Sequence, residues 1–165
     1  FSFLADNRTE IMDLETEAVI QAVKTSCQIK AEVVEEDETE QGLRAILNYG
    51  HTIGHSLEAV TNYDCYRHGE AVAIGMVAAA KIAHKLDMLT VKEVKEHEEL
   101  ISDFGLPIRF EGIDHDQIIN TLTKDKKVED GVIRFILAEK IGKVKILSDI
   151  PEAIIREVLA EIGGK

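Results

Sequence analysis

Three of the six histidines, His51, His55 and His68, fall within an 18-residue stretch. His51 and His55 are four residues apart, so on a helix both imidazoles leave the same face. Glu58 continues that face seven residues after His51, and Glu70 follows His68 by two. Neutral imidazoles with a carboxylate suit a Zn²⁺ ion that keeps one coordination position open for catalysis. An HxxxH pair alone is common in proteins that bind no metal. What lifts this pair above that background is its company: His68, Glu70, and the glycines Gly50 and Gly54, which let a backbone or a ligand come close. His84, His97 and His115 have no such company and read as surface residues.

A second group is cationic: Lys30, Arg44, Lys124, Lys126 and Lys127. Arg44 stands four residues before Asn48, so on one continuous helix Arg44, Asn48, His51 and His55 would share a face. That face would offer a guanidinium fork, an amide and two imidazoles. Together these describe a metal-assisted site for a small polar anion.

The elements that must position these groups are mostly helices. From Asp13 to Val34, apolar Ala18, Val19, Ala22, Val23, Cys27 and Ala31 recur at the spacing of an amphipathic helix. The acidic run Glu35–Glu38 ends it, and after Gly42 helical periodicity resumes into Tyr49–His55. A polar loop, Thr61 to Arg67, precedes a strongly apolar helix from about Gly69 to Leu86. Thr90 with Glu93 forms a capping box for a helix to about Ser102, stopped by Phe104–Gly105–Leu106–Pro107. Asp114 and Gln117 repeat that signature before a helix reaching about Lys124. Residues 132–147 change period and predict a β-hairpin turning at Gly142. Pro151 opens a last helix, at its first helical position, closed by Gly163–Gly164. The expected fold is therefore mainly α, a single multi-helix domain over 1–165 with a small hairpin.

Composition narrows the partners. Hydrophobic residues make up 45% of the 165, enough for a real core, but aromatics are 5% and tryptophan is absent. Leu, Ile, Val and Ala must therefore fill it. The net charge of −12 with no basic stripe argues against nucleic acid and against an anionic membrane surface. The longest apolar stretch, Ala71 to Ala80, is too short to span a bilayer and reads as a buried helix. Cys27 and Cys65 match no disulfide framework or metal knuckle, and are expected as one buried thiol and one loop thiol of a cytoplasmic protein. Phe1–Ser2–Phe3–Leu4 reads like the middle of a packed element, as if the chain began partway through a longer protein.

The motifs in register resemble 3-dehydroquinate synthase. The core of the resemblance is Arg44-x-x-Leu47-Asn48-x-Gly50-His51-Thr52-x-Gly54-His55-x-x-Glu58 followed by His68-Gly69-Glu70-Ala71-Val72 and Gly75-Met76. Upstream, Lys30-Ala31-x-Val33-Val34-x-x-Asp37-Glu38-x-Glu40-x-Gly42 also matches. Downstream, Phe104–Pro107, Asp125-Lys126-Lys127 and Ile141-Gly142 follow in order, so the match runs from about Phe1 to Leu147.

This resemblance implies the C-terminal, helical part of a shikimate-pathway enzyme that makes 3-dehydroquinate and phosphate from 3-deoxy-D-arabino-heptulosonate 7-phosphate. In that family NAD⁺ transiently oxidises the C5 hydroxyl, phosphate leaves, the ketone is reduced and the opened ring closes. It implies His51 and His68 as ligands of Zn²⁺ or Co²⁺, and His55 near the phosphate, aiding proton movement. Asn48 would bind phosphate oxygens, Arg44 and Lys30 the carboxylate, Lys126 (in preference to Lys127) a further anionic group, and Glu40 would act behind them. The family's third metal ligand, a glutamate, and its NAD-binding domain precede the region covered here, and full-length members are expected as homodimers. The chain alone is accordingly expected to lack synthase activity and to hold zinc weakly. Related cyclases of sugar phosphates without a carboxylate have no need of this set of cations. Three other readings compete: a helical assembly module that kept the fold without the reaction, the helical part of a metal-dependent alcohol dehydrogenase, and a plain helical domain with incidental histidines.

Overall fold

The computed structural model describes residues 1–39, 42–126 and 133–164. They divide into two compact units, Phe1–Leu47 and Asn48–Lys165. The first unit contains α1 (Ser2–Asp6), α2 (Arg8–Met12) and the 21-residue α3 (Thr16–Glu36). Leu14, in the left-handed region at φ 58°, turns the chain between α2 and α3. The amphipathic stripe expected of α3 is present but uncovered among the described residues. Only Val33 is buried on this helix, whereas Ile20, Val23 and Ile29 remain more than half exposed. Phe1 and Leu4, expected to pack, are likewise exposed, and α1 buries no residue.

The loop after α3 folds onto one side chain. The Asp37 carboxylate accepts hydrogen bonds from the backbone N–H groups of Gly42 (2.8 Å) and Arg44 (2.9 Å), as short acidic side chains do in turns. A 3₁₀ helix, Leu43–Asn48, then carries the chain into the second unit.

The second unit is organised around α5 (His68–Lys85), which buries ten residues, six of them alanines. Short alanine side chains let neighbours come close on every side, and four elements pack on this helix. These are α4 (His51–Val60), α6 (Val91–Asp103), β1 (Arg134–Lys140) and α8 (Glu152–Ile162). The core therefore answers the scarcity of aromatics: Ile53, Leu57, Ile74, Val77, Ile82, Leu137 and Leu159 fill it, with Phe110 among its few rings. The capping box that starts α6 is formed as expected, Glu93 N–H donating to Thr90 Oγ1 (3.2 Å) and Thr90 N–H to the Glu93 carboxylate (2.9 Å). α7 (His115–Lys126) follows.

The hairpin pairs β1 with β2 (Lys143–Ser148) in antiparallel register, Phe135 opposite Leu147 and Leu137 opposite Lys145, around Gly142 at φ 87°. Only β1 is central to the core; on β2 Val144 and Leu147 are half-buried and the other residues are exposed. Pro151 caps α8 from just outside rather than occupying its first turn, and Ile155, Val158, Leu159 and Ile162 form its buried stripe. Among the described residues no helix is long and apolar enough to cross a membrane.

Candidate metal centre

The close approach of α4 and α5 creates the site. Gly50 precedes α4 in the left-handed conformation, φ 84°, which an L side chain rarely adopts. A Cβ at Gly75 would lie 1.9 Å from the Gly50 carbonyl oxygen, and one at Gly54 would lie 3.1 Å from the backbone of Val72. Backbone thus rests directly on backbone at this crossing. That contact sets His51 and His55, one turn apart on α4, against His68 at the start of α5.

The three rings cluster. Their centroids are 5.2 Å apart for His51–His55, 5.3 Å for His51–His68 and 5.7 Å for His55–His68. One nitrogen from each lies within 4.8 Å of the others. Nitrogens shared by one tetrahedral ion with bonds of about 2.0–2.1 Å sit roughly 3.4 Å apart, so ring movements well under an ångström each would suffice. The donor set, imidazole nitrogen open to solvent on one side, suits Zn²⁺ or Co²⁺.

The anchoring of the rings separates them. His51 Nδ1 faces the Tyr49 carbonyl at 3.3 Å, so that nitrogen carries the proton and Nε2 keeps its lone pair. Burial holds the His51 pKa below its ordinary value. Hydrogen bonds to the Tyr49 and Asn48 backbone oppose this shift, and repulsion from His55 and His68 reinforces it. The neutral, ligand-competent ring is therefore favoured. His68 Nδ1 lies 3.2 Å from both carboxylate oxygens of Glu58. His55 is exposed, and no hydrogen bond ties either of its nitrogens among the described residues.

Several expectations need correction. Arg44, Asn48, His51 and His55 do not share one helical face: residues 43–48 are 3₁₀, and the left-handed Gly50 breaks the chain before α4 begins at His51. The physical reason is the Gly50–Gly75 contact, which a continuous helix could not reach. The carboxylates foreseen beside the histidines are otherwise employed. Glu70 caps α5 by accepting from the Arg67 N–H at 2.8 Å, and Glu58 backs His68. His97 is not a surface residue; it is buried, its Nδ1 on the Glu93 carbonyl at 2.9 Å and its ring edge-on to Tyr49. His84 and His115 are half-buried. Cys27 and Cys65 are both exposed.

The remaining candidates lie as follows. Lys30 is an exposed residue of α3; Arg44, half-buried in the first unit, donates from Nη1 to the Glu38 carbonyl at 2.9 Å. Asn48 opens the second unit and is half-buried. Glu40, Lys127 and the Lys126 side chain lie outside the described residues. One contributor escaped the sequence reading, the Tyr49 carbonyl, which carries no sequence signal; Gly75 belongs to the motif and lies inside an apolar helix, but its contact with Gly50 was not foreseen.

Residues 1–128 match the model of the family described as "3-dehydroquinate synthase C-terminal". The chain belongs to that family. Its curated relatives include the 3-dehydroquinate synthases of Microcystis aeruginosa, 47% identical over 94% of this chain and 43% of the relative. That of Thermodesulfovibrio yellowstonii is 43% identical over 98% of this chain and 45% of its own length. The chain thus spans under half the length of these relatives. Among solved structures, a 2-deoxy-scyllo-inosose synthase complexed with carbaglucose-6-phosphate, NAD⁺ and Co²⁺ is 31% identical, with a TM-score of 0.69 over 80% of this chain and 39% of that one. The 2-epi-5-epi-valiolone synthase of Streptomyces hygroscopicus, with NAD⁺ and Zn²⁺ bound, shares the fold at TM-score 0.82 and 21% identity, over 98% of this chain and 46% of that one.

Proposed function

We propose that both units form the C-terminal metal- and substrate-binding part of a 3-dehydroquinate synthase, acting in the shikimate pathway toward aromatic amino acids. The supporting observation is the convergence of His51, His55 and His68 in a chain whose curated relatives bear that name at 43–50% identity. The remainder of a full-length enzyme, as a homodimer, supplies most of the NAD site and a carboxylate ligand. A bound Zn²⁺ or Co²⁺ ion would supply Lewis acidity at a substrate hydroxyl, and bound NAD⁺ would supply the hydride chemistry. His51 and His68 hold the ion through the nitrogens opposite their anchored Nδ1 atoms. His55, untethered, carries a proton near the phosphate. Asn48 contacts phosphate oxygens, Lys30 and Arg44 pair the substrate carboxylate, Lys126 adds an anion contact and Glu40 supports them. Cytoplasmic residence, where thiols stay reduced, accommodates the exposed Cys27 and Cys65.

Complementation tests this reading. The chain is mixed with the N-terminal half of a related synthase, and phosphate release from 3-deoxy-D-arabino-heptulosonate 7-phosphate is followed with and without NAD⁺. Release should require both halves, NAD⁺ and metal, and neither half should turn over alone. Turnover of carboxylate-free sugar phosphates in place of the acid would reassign the chain to a related cyclase. A folded, metal-loaded mixture with no release would make it a binding module.

A further inference from the structure

Glu58 is a buried acid, 6% exposed, on the last full turn of α4. A carboxylate removed from water is costly unless a donor meets it. Among the described residues the group that meets it is the His68 imidazole, whose Nδ1 stands 3.2 Å from each oxygen. The exposures are lopsided: the His68 side chain is 58% exposed and that of Glu58 7%. A ring so open to water has few packing contacts to select its rotamer, whereas the Glu58 side chain is buried on α4 and has little room to move. The rigid partner therefore orients the mobile one. An ionised carboxylate only accepts, so Nδ1 must carry the hydrogen and Nε2 must present its lone pair.

We infer that Glu58 is a positioning residue for the metal centre, fixing the Nδ1–H tautomer and the orientation of His68 so that Nε2 points toward His51 and His55. The inference rests on the metal-centre reading above. His51 receives the same service from the Tyr49 carbonyl, and His55 receives none, which separates two orienting anchors from one free imidazole. A backbone carbonyl survives any substitution at its own position; Glu58 is the anchor that mutation can remove.

The test uses the full chain with ¹⁵N-labelled histidine at about pH 8, where an ordinary imidazole is neutral, and Zn²⁺ or Co²⁺ alone as the probe. In the metal-free chain, ¹⁵N spectra should show His68 as the Nδ1–H tautomer, and Glu58→Ala should lose that signature. Metal affinity should fall about tenfold in Glu58→Gln, which keeps an acceptor without the charge, and up to about a hundredfold in Glu58→Ala. The Co²⁺ absorption bands should shift in both, and thermal melts identify any variant that fails to fold. Folded Glu58→Gln and Glu58→Ala chains with wild-type affinity and Co²⁺ spectrum would overturn the inference, as would a wild-type His68 protonated on Nε2. A wild-type chain that takes up neither ion even when combined with the N-terminal half of a related synthase would instead sink the metal-centre reading itself.

Discussion

Helices α3 and α5 are both long and alanine-bearing, yet their surroundings differ completely. On α5 ten of 18 residues are buried, and four neighbouring elements cover it. On α3 one residue of 21 is buried, and Ile20, Val23 and Ile29 stand open to water. Periodicity in a sequence says which face of a helix is apolar but not what covers it. The second unit contains the partners of its own apolar faces; the first, as described, does not. The histidine cluster sits entirely in the second unit, on the crossing where glycine replaces side chains between α4 and α5.

The sharpest way to break this comparison is Gly75→Ala. Its methyl group would fall 1.9 Å from the Gly50 carbonyl oxygen, a backbone atom that cannot swing aside, so α4 and α5 must separate. We expect a loss of about 3 kcal/mol or more in thermal or urea unfolding, together with loss of metal uptake. Wild-type stability would mean that the glycine seam does not set the crossing.

A smaller contrast comes from matched truncations. Ile74→Ala, at a fully buried position on α5, should cost about 2–5 kcal/mol. Ile20→Ala on α3, 59% exposed, should stay within roughly 0.5 kcal/mol. An Ile20 effect approaching that of Ile74 in the urea midpoint would show that the α3 face is covered in solution.

The mildest effect concerns the start of α6. Thr90→Ala removes the acceptor for the Glu93 N–H and should cost about 1 kcal/mol. Hydrogen bonds from the Thr90 N–H and hydroxyl hold Glu93 below its ordinary value of 4.5. A depressed folded pKa means the unfolded state binds the proton more tightly. The contribution is therefore complete above pH 4.5 and is lost as pH falls through the lower folded value. A stability profile across that window that is identical in wild type and Thr90→Ala would contradict this assignment.

Much of this molecule could be read directly. Helices α5 to α8, the hairpin and the Thr90 capping box follow from local periodicity and from turn and cap chemistry, which act over a few residues and are written in adjacent letters. The types and spacing of His51, His55 and His68 marked them in advance as candidates for a metal site, because only certain side chains donate to Zn²⁺, and the fold brings their nitrogens within 4.8 Å of one another. Tertiary contacts decided the rest. The break at Gly50 answers to a glycine 25 residues later in the chain, so local pattern alone extended a helix through it. Glu58 seemed a candidate ligand on spacing, but the approach of α5 turned it into the support behind His68. His97 stands among charged neighbours in sequence and is buried beside Tyr49 in space. Which residues can do chemistry is a property of their side chains; which ones face each other depends on backbones brought together from distant parts of the chain.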